Sequence, residues 1–377
     1  MDSSRNIKVG RKQYIDKVLY KPENYLFVGL RHIGKTTLLH IFEEEIFKRD
    51  NEKALYISLQ GCENEHDIIK RIGLSIKKNN YEINHDELKK DTLFDYLENI
   101  ETSDKSSEKI YLLIDEAEKI ISIYENDKKI IDKFSEAINN TNKFIFLLAS
   151  SVKLFYDMTP FNKFLSLKEI VSPLTKEESS ELIKRLIPDV SEELSEKIMN
   201  YTYYFPYQIK MYIRTLKMEV TLTEYNCNIN KDKEDKLEEI AIKTYTENSF
   251  MPNVFKEIFT QELTQEHHLI IDRIFKNKKK DKFEDFKKPE YRTYLDELKK
   301  FGYVVYDREK NQYYIPCWFF KYFLQSEIYS RDISLELKSN NKDIQTGKRI
   351  KIMAWIIESF AIFFFIIVLL MYFFKSK

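Results

Sequence analysis

Short apolar runs alternate with amphipathic stretches through the first half of the chain. The runs predict buried strands over residues 25–29, 54–59, 110–114, 144–149 and 164–171. Helical periodicity predicts helices over residues 35–48, 67–77 and 130–138. Strands that are apolar throughout and alternate with helices form a parallel sheet covered on both faces. The predicted fold class is therefore α/β, with a parallel-sheet core over residues 1–172.

The pattern changes after this core, where strand-like runs stop. Helices are predicted over residues 176–186, 192–202 and 207–218, which together form a helical domain spanning 173–225. Residues 226–235 are polar and rich in lysine, which indicates a linker or exposed turn within a connecting segment at 226–250.

A further domain is predicted over residues 251–330. Its pattern predicts helices at 266–275, 283–287 and 291–301, followed by two short strands at 303–306 and 312–315.

The C-terminal segment is the most apolar part of the sequence. Within residues 352–374, only Glu358 and Ser359 are clearly polar. A helix of this length spans about 34 Å, which exceeds the roughly 30 Å of a bilayer hydrocarbon core. The alternative, a buried core helix, conflicts with the absence of a polar face from Phe360 onward. Basic residues in the juxtamembrane segment 331–351 place the bulk of the chain in the cytoplasm, with a single-pass C-terminal membrane anchor.

Composition and charge narrow the classes of function and the kinds of site that this chain can have. The 377 residues include 61 basic and 61 acidic side chains, so net charge gives no support for a dedicated nucleic-acid binder. The basic run at 276–282 leaves DNA contact as an alternative that we do not favour. The three cysteines are far apart and form no C-x-x-C pair, which argues against a zinc site or a disulfide framework.

One motif carries specific chemistry. Residues 29–36 read GLRHIGKT, which fits G-x-x-x-x-G-K-[ST] between a predicted strand and a predicted helix. In such a P-loop, backbone N–H groups and the helix N-terminus surround phosphate oxygens. Lys35 is expected to reach the β- and γ-phosphates of ATP, and Thr36 to bind Mg²⁺. The predicted phosphate-binding positions are Gly29, Leu30, Arg31, His32, Ile33, Gly34, Lys35, Thr36 and Thr37.

Acidic residues complete the predicted site. Asp115 and Glu116 follow the apolar strand at 110–114, where Asp115 is expected to hold the Mg²⁺ shell and Glu116 to polarise the attacking water. The catalytic residues predicted are thus Glu116 and Lys35. Ser150, at the end of the strand at 144–149, is expected either to contact the γ-phosphate or to cap the next helix.

These motifs resemble those of the archaeal-type ATPases, in the AAA+ and signal-transduction branch related to origin-recognition ATPases. The resemblance rests on GLRHIGKTTLL, LLIDE and FIFLLASS. It implies that Val9 and Gly10 lie against the adenine, that Pro206 contacts the nucleotide from a helical lid at 173–225, and that residues 251–330 form a winged helix. Tyr204 or Phe205 stands where the lid of that branch has glycine. Residues 151–180 contain no arginine to serve as an arginine finger, which leaves Lys153, Lys163, Arg185 and Arg214 as alternatives.

Three functional hypotheses follow. The first is a membrane-anchored switch that binds and slowly hydrolyses ATP with Mg²⁺ and self-associates beneath the bilayer, in signalling or host defence, with an unidentified protein partner. The second is a membrane-tethered ATPase that binds DNA through the winged helix. The third is an interaction scaffold that binds ATP with little turnover.

Overall fold

The computed structural model describes nine stretches of the chain. They are residues 8–49, 52–79, 92–103, 109–124, 143–152, 167–222, 229–248, 250–276 and 289–329. The chain divides into two compact units, Met1–Lys321 and Tyr322–Lys377. The helices predicted at 130–138 and 283–287, the juxtamembrane segment and the predicted span at 352–374 lie outside the described residues. Among those that are described, no helix combines the length and apolar character needed to cross a bilayer.

A five-stranded parallel sheet forms the core, as the sequence predicted. Its strands are β1 (Tyr25–Val28), β2 (Glu52–Ser58), β3 (Lys109–Asp115), β4 (Phe144–Ser150) and β5 (Leu167–Ile170). They lie in the order β2-β3-β4-β1-β5, and every neighbouring pair is parallel. β1 and β4 are buried along their whole length, because helices cover both faces of the sheet.

Within the described residues, five helices accompany these strands. They are α1 (Lys12–Tyr20), α2 (Lys35–Phe47), α3 (Glu65–Lys78), α4 (Leu93–Ser103) and α5 (Glu118–Tyr124). Because the strands are parallel, their carboxyl ends all lie along one edge of the sheet. There the register pairs Val28 with Ser150, and Ser58 with Asp115. This edge therefore gathers the residues that the sequence marks as functional.

The predicted lid consists of three helices, α6 (Lys176–Leu186), α7 (Glu192–Thr202) and α8 (Pro206–Glu219). A capping box begins α6, in which the Thr175 hydroxyl accepts from the Glu178 N–H and Glu178 accepts from the Thr175 N–H. Between α7 and α8, Tyr203 and Tyr204 adopt positive φ angles of 43° and 65°. Glycine adopts this backbone without strain, so the two tyrosines occupy a turn better suited to glycine.

The C-terminal segment, residues 250–321, follows α9 (Lys231–Glu247). It contains α10 (Phe250–Glu257), a π-helical turn (Ile258–Glu262), α11 (Gln265–Lys276) and α12 (Pro289–Lys300). An antiparallel pair of strands follows, β6 (Val305–Asp307) and β7 (Gln312–Tyr314), and α13 (Trp318–Phe323) begins within the segment. A second π-helical turn spans Leu324–Ile328.

Two sequence predictions in this region need correction. The prediction of a linker through residue 235 was wrong at its end, because the Asn230 side chain caps α9 and residues 231–235 are helical. The strand predicted at 303–306 begins only at Val305. Gly302, with φ of +77°, lies so close to Pro173 that an added Cβ would be 2.5 Å from its ring, and Tyr303 is completely buried. Burial of these residues, rather than pairing, accounts for their apolar character.

Candidate functional site

The loop between β1 and α2 has the shape of a phosphate cradle. His32 and Gly34 adopt positive φ angles of 60° and 98°, which turn the chain sharply before α2 begins at Lys35. The N–H groups of the first helical turn have no acceptor within the helix. Together with the partial positive charge of the helix N-terminus, they suit an anion.

The Lys35 side chain folds back over this loop. Its ammonium donates to the carbonyl oxygens of Gly29 at 2.6 Å and Leu30 at 2.9 Å. Desolvation lowers the pKa of Lys35, while the nearby carboxylates of Glu262, Glu118 and Asp115 act in the opposite direction. The cation is thus held at the loop by main-chain oxygens and is surrounded by acidic groups.

Thr36 and Asp115 meet directly. The Thr36 hydroxyl donates to Asp115 Oδ2 at 2.6 Å, and the Tyr56 hydroxyl donates to the same oxygen at 3.1 Å. Asp115 is buried, at 6% exposed. Mg²⁺ prefers hard oxygen ligands and is commonly held by one or two carboxylates together with phosphate oxygens. A threonine hydroxyl beside a carboxylate at the phosphate loop fits that ion.

Glu116 and Glu118 lie beside this carboxylate. Glu116 has a positive φ of 56° and is partly buried. Burial raises the pKa of Glu116, and the negative charges of Glu118 and Asp115 add to the increase. A carboxyl with a raised pKa is a better proton acceptor than an ordinary surface carboxylate, which suits the predicted role.

Ser150 is held by a residue that the sequence did not single out. It is fully buried, and its hydroxyl donates to Glu118 Oε2 at 3.0 Å. The Ser151 N–H donates to the same oxygen at 3.2 Å. Glu118 thus fixes Ser150 at the edge of the sheet. The segment that Ser150 was expected to cap lies, beyond residue 152, outside the described residues, so the capping alternative stays a prediction. In the sequence, Glu118 was indicated as a site residue only by its position two residues after Glu116, in the first turn of α5.

Arg11 ties the N-terminal segment to the loop. Although it is only 2% exposed, its guanidinium donates to the carbonyl oxygens of Ser172 at 2.6 Å and Ile33 at 2.5 Å. Its backbone N–H donates to Glu178 Oε1 at 2.5 Å. Arg11 thus joins the phosphate loop, the end of β5 and the first turn of α6. The family resemblance extends to Arg11, but nucleotide contacts were predicted only for its neighbours Val9 and Gly10.

A cleft opens between the N-terminal segment, the phosphate loop and the predicted lid. It is lined by Val9, Arg11, Gly34, Thr37, Leu174, Leu182, Pro206 and Lys210. Val9, Gly34, Thr37 and Pro206 were predicted nucleotide contacts, and all four line this cleft. Gly10 instead faces Glu178, where an added Cβ would lie 2.5 Å from the carboxyl carbon. Lys210, whose pKa is lowered by burial, is a cleft residue that the sequence did not mark.

Other parts of the chain contact the crest of the loop, although Arg31 and His32 remain exposed there. The His32 ring lies 4.9 Å from the Tyr207 ring and 5.0 Å from the Phe250 ring. Desolvation by these neighbours, with the positive charges of Lys35 and Arg31, lowers the pKa of His32 to about 4, although part of the ring is solvent exposed. His32 is therefore neutral at physiological pH and acts as a packing group.

Arg31 is paired with two acids of the C-terminal segment. Its Nη1 lies 2.9 Å from Glu257 Oε2, and its Nε lies 3.3 Å from Glu262 Oε1. The Arg31 backbone N–H also donates to Glu262 Oε2 at 3.3 Å. Glu262 is 3% exposed, and burial raises its pKa to about 7 in spite of the nearby cations Lys35 and Arg31. No local sequence pattern indicated this carboxylate.

Only some of the residues named as alternatives to an arginine finger, and of the basic run at 276–282, lie within the described chain. Arg185 donates to the Lys8 carbonyl at 2.8 Å and pairs with Glu181, whereas Arg214 is exposed on α8. Lys153, Lys163 and residues 277–282 of the basic run lie outside the described residues. Lys276 pairs with Asp272 at 2.7 Å.

Comparison with known proteins identifies the fold. The sequence matches no protein-family model and no curated protein. Among solved structures, the Walker-type ATPase PABY2304 of Pyrococcus abyssi aligns with 85% of this chain and 97% of its own, at 16% identity and a TM-score of 0.51. The ORC2 protein of Aeropyrum pernix aligns at 14% identity over 84% and 92% of the two chains, with a TM-score of 0.43. The RuvB motor of Thermotoga maritima aligns at 17% identity over 81% and 92%, with a TM-score of 0.40. At 16% identity, the likeness to PABY2304, which alone of these three has a TM-score above 0.5, establishes the fold alone, a parallel-sheet α/β core of the P-loop NTPase type.

Proposed function

We propose that this chain is an ATP-binding and ATP-hydrolysing switch. The observation that carries the proposal is the hydrogen bond between Thr36 and Asp115 beneath a cradle that ends at Lys35. A hydroxyl and a carboxylate at that position are the Mg²⁺ ligands of phosphoryl-transfer sites, and the lysine supplies charge to the phosphates. Bound Mg²⁺ would neutralise charge on the β- and γ-phosphates.

The residues of the chain have separable roles in this proposal. The N–H groups of the loop bind the phosphates, and Lys35 leaves the carbonyls of Gly29 and Leu30 to pair with them. Glu116 orients a water molecule and accepts its proton. Glu118 holds Ser150, so that a hydroxyl faces the same edge of the sheet. The apolar walls of the cleft, Val9 and Pro206 among them, receive the adenine.

A test measures binding and turnover of Mg²⁺·ATP by the full chain. We expect Lys35→Ala to weaken ATP binding by at least about tenfold and to abolish turnover, because it removes the charge at the phosphates. Lys48→Ala is the matched control, since Lys48 lies just beyond α2 and, within the described residues, forms an exposed pair with Glu45 at 2.6 Å. Equal binding by the Lys35 variant would contradict the proposal. Binding without any turnover in the unmodified chain would favour the scaffold alternative.

The switch requires different assemblies in different nucleotide states. Glu116→Gln is expected to bind ATP without hydrolysing it and thereby to increase self-association, measured by light scattering with and without ATP. An unchanged mass in ATP would count against the switch.

The winged-helix interpretation of residues 251–330 is supported by the order of helices α11 and α12 followed by the β6–β7 pair.

Membrane attachment is part of the proposal and rests on the apolar sequence of residues 352–374. We expect the full chain to co-sediment with phospholipid vesicles in high salt, and a chain that ends at residue 351 to remain in the supernatant. Equal sedimentation of the two chains would remove the anchor from the proposal.

A further inference from the structure

A carboxylate from the C-terminal segment lies at the phosphate loop. Glu262 is the last residue of the π-helical turn that follows α10, and it lies 231 positions from Arg31, whose backbone N–H it accepts. Its other oxygen is 3.3 Å from the Arg31 guanidinium. One acidic side chain therefore engages both the main chain and the side chain of the loop crest.

The surroundings of Glu262 are those of a bound anion. The side chain is 2% exposed, and its Oε1 has no hydrogen bond within the described structure beyond the ion pair with Arg31. Among the charges that act on Lys35, Glu262 has the largest effect, ahead of Glu118 and Asp115. Burying a carboxylate is costly unless cations and N–H donors compensate. Here the loop amide, Arg31 and Lys35 offset part of that cost, and desolvation remains the largest influence on the pKa of Glu262, which is raised to about 7.

The same groups would serve the phosphates of a nucleotide. The amides of the P-loop and Lys35 form an anion receptor. A carboxylate whose charge acts on Lys35 opposes the binding of a second anion there. Two negative charges in a partly desolvated site repel each other. Glu262 and a terminal phosphate therefore disfavour each other at this position.

We propose that Glu262 is an internal occupant of the phosphate site, and that nucleotide binding requires the turn at Ile258–Glu262 to withdraw from Arg31. This inference rests on the proposed nucleotide site. It couples phosphate occupancy to the position of the C-terminal segment, because the turn continues α10 without interruption.

The backbone of the turn suits such a movement. Its bonding is of the i to i+5 type, with the Leu263 N–H donating to the Ile258 carbonyl at 3.0 Å. Single π-helical turns are less stable than α-helical ones and occur frequently at functional sites. Glu257, one residue before the turn, pairs with Arg31 from an exposed position and supplies a control.

The test compares Glu262→Gln with Glu257→Gln in the full chain. Glutamine keeps the size of glutamate and one of its two acceptor oxygens, and it removes the charge. We expect Glu262→Gln to bind a non-hydrolysable ATP analogue with Mg²⁺, and also pyrophosphate, about tenfold more tightly, because a competent site that is more often free binds more tightly in proportion. Binding of adenosine, which has no phosphate, should be unchanged, and Glu257→Gln should change none of the three by more than about threefold.

The outcomes separate the inference from the function on which it rests. ATP binding that is equal in the native protein and in Glu262→Gln, or weaker in the variant, overturns the inference and leaves the nucleotide site standing. Failure of both proteins to bind ATP overturns both. A second measurement needs no variant: the analogue with Mg²⁺ should accelerate hydrogen exchange of the Leu263 amide in the native protein. Unchanged exchange at saturating analogue also overturns the withdrawal.

Discussion

Thr36 and Asp115 are 79 residues apart in sequence, and their side chains are joined by a hydrogen bond of 2.6 Å. This contact places the first turn of α2 against the end of β3, and it brings together a hydroxyl and a carboxylate that fit Mg²⁺. Since strand β4 separates β3 from β1 in the sheet, the contact depends on the loop reaching across the carboxyl edge of β4.

Replacement of the carboxylate at this contact should separate metal use from folding. We expect Asp115→Asn to reduce Mg²⁺-dependent ATP turnover by about 100-fold or more, because the ion loses a charged ligand partner. Tyr56→Phe, which removes only the second hydrogen bond to Asp115, should reduce turnover less than about fivefold. Turnover is measured over a range of Mg²⁺ concentrations, and equal effects of the two substitutions would argue against metal binding by Asp115.

The two glutamates after β3 should differ in their effect on turnover. Glu116→Gln is expected to lower turnover by about 10² to 10⁴, the usual contribution of a general base. Glu118→Gln should lower it by only about tenfold, because the amide oxygen still accepts from Ser150. Single-turnover kinetics with radiolabelled ATP would measure both. If the Glu118 variant is the more impaired, the base is Glu118 and our assignment is wrong.

Removal of the buried guanidinium should destabilise the N-terminal core. Arg11→Met leaves the Ile33 and Ser172 carbonyls without their donor, and we expect a loss of about 2–4 kcal/mol in the free energy of unfolding. Arg49→Met is the control, because Arg49 forms an exposed pair with Glu52 at 3.3 Å and should cost less than about 1 kcal/mol. Urea unfolding followed by tryptophan fluorescence gives both values. Similar midpoints for the two variants would contradict the role of Arg11.

Two glycines with nearly the same backbone angle test the space beside Glu178. Gly10 and Gly61 have φ of +75° and +77°, but an added Cβ would be 2.5 Å from Glu178 at Gly10 and would meet nothing within 4 Å at Gly61. Gly61→Ala should cost about 1–2 kcal/mol from backbone strain alone. Gly10→Ala should cost about 1–3 kcal/mol more, because overpacking adds to the same strain. Thermal unfolding compares them, and an equal loss would show that Glu178 moves freely.

Stability should depend on pH through Glu262. Its pKa is raised by burial to about 7 in the folded protein, from the usual value of 4.5. The folded state then binds more protons than the unfolded state between these two pH values. The contribution of Glu262 to the free energy of unfolding is therefore greatest below pH 4.5 and falls as pH rises to about 7. The difference corresponds to about 3 kcal/mol. Without nucleotide, the stability of native protein relative to Glu262→Gln should decrease over this interval, and a constant difference would contradict the raised pKa.

Local sequence signals predicted much of the core and placed Thr36 and Asp115 in one site, where their side chains meet. The P-loop motif and the apolar run before Asp115 are short, and each carries its own structural requirement. The lid helices at Lys176–Leu186 and Glu192–Thr202 coincide with prediction, because Thr175 and Ser191 cap them at positions visible in the sequence.

The groups that sequence did not predict act through tertiary contacts. Glu262 resembles any other acid near the end of an amphipathic helix, and only its burial against Arg31 distinguishes it. Arg11 precedes a helix that the periodicity did not reveal, and its partners lie 22 and 161 residues away. Tyr203 and Tyr204 take positive φ angles that propensity assigns to glycine, so the lid turn is set by packing.

The double use of Glu178 has a consequence for any rearrangement of the lid. One of its oxygens accepts from the Arg11 backbone N–H and the other from the Thr175 N–H. Thr175 and Glu178 both belong to the start of α6 and move together, so a lid that rotates must either carry the N-terminal segment with it or break the hydrogen bond from Arg11. A fluorophore placed at the chain's beginning would then report lid motion from a distance, without any label on the lid itself.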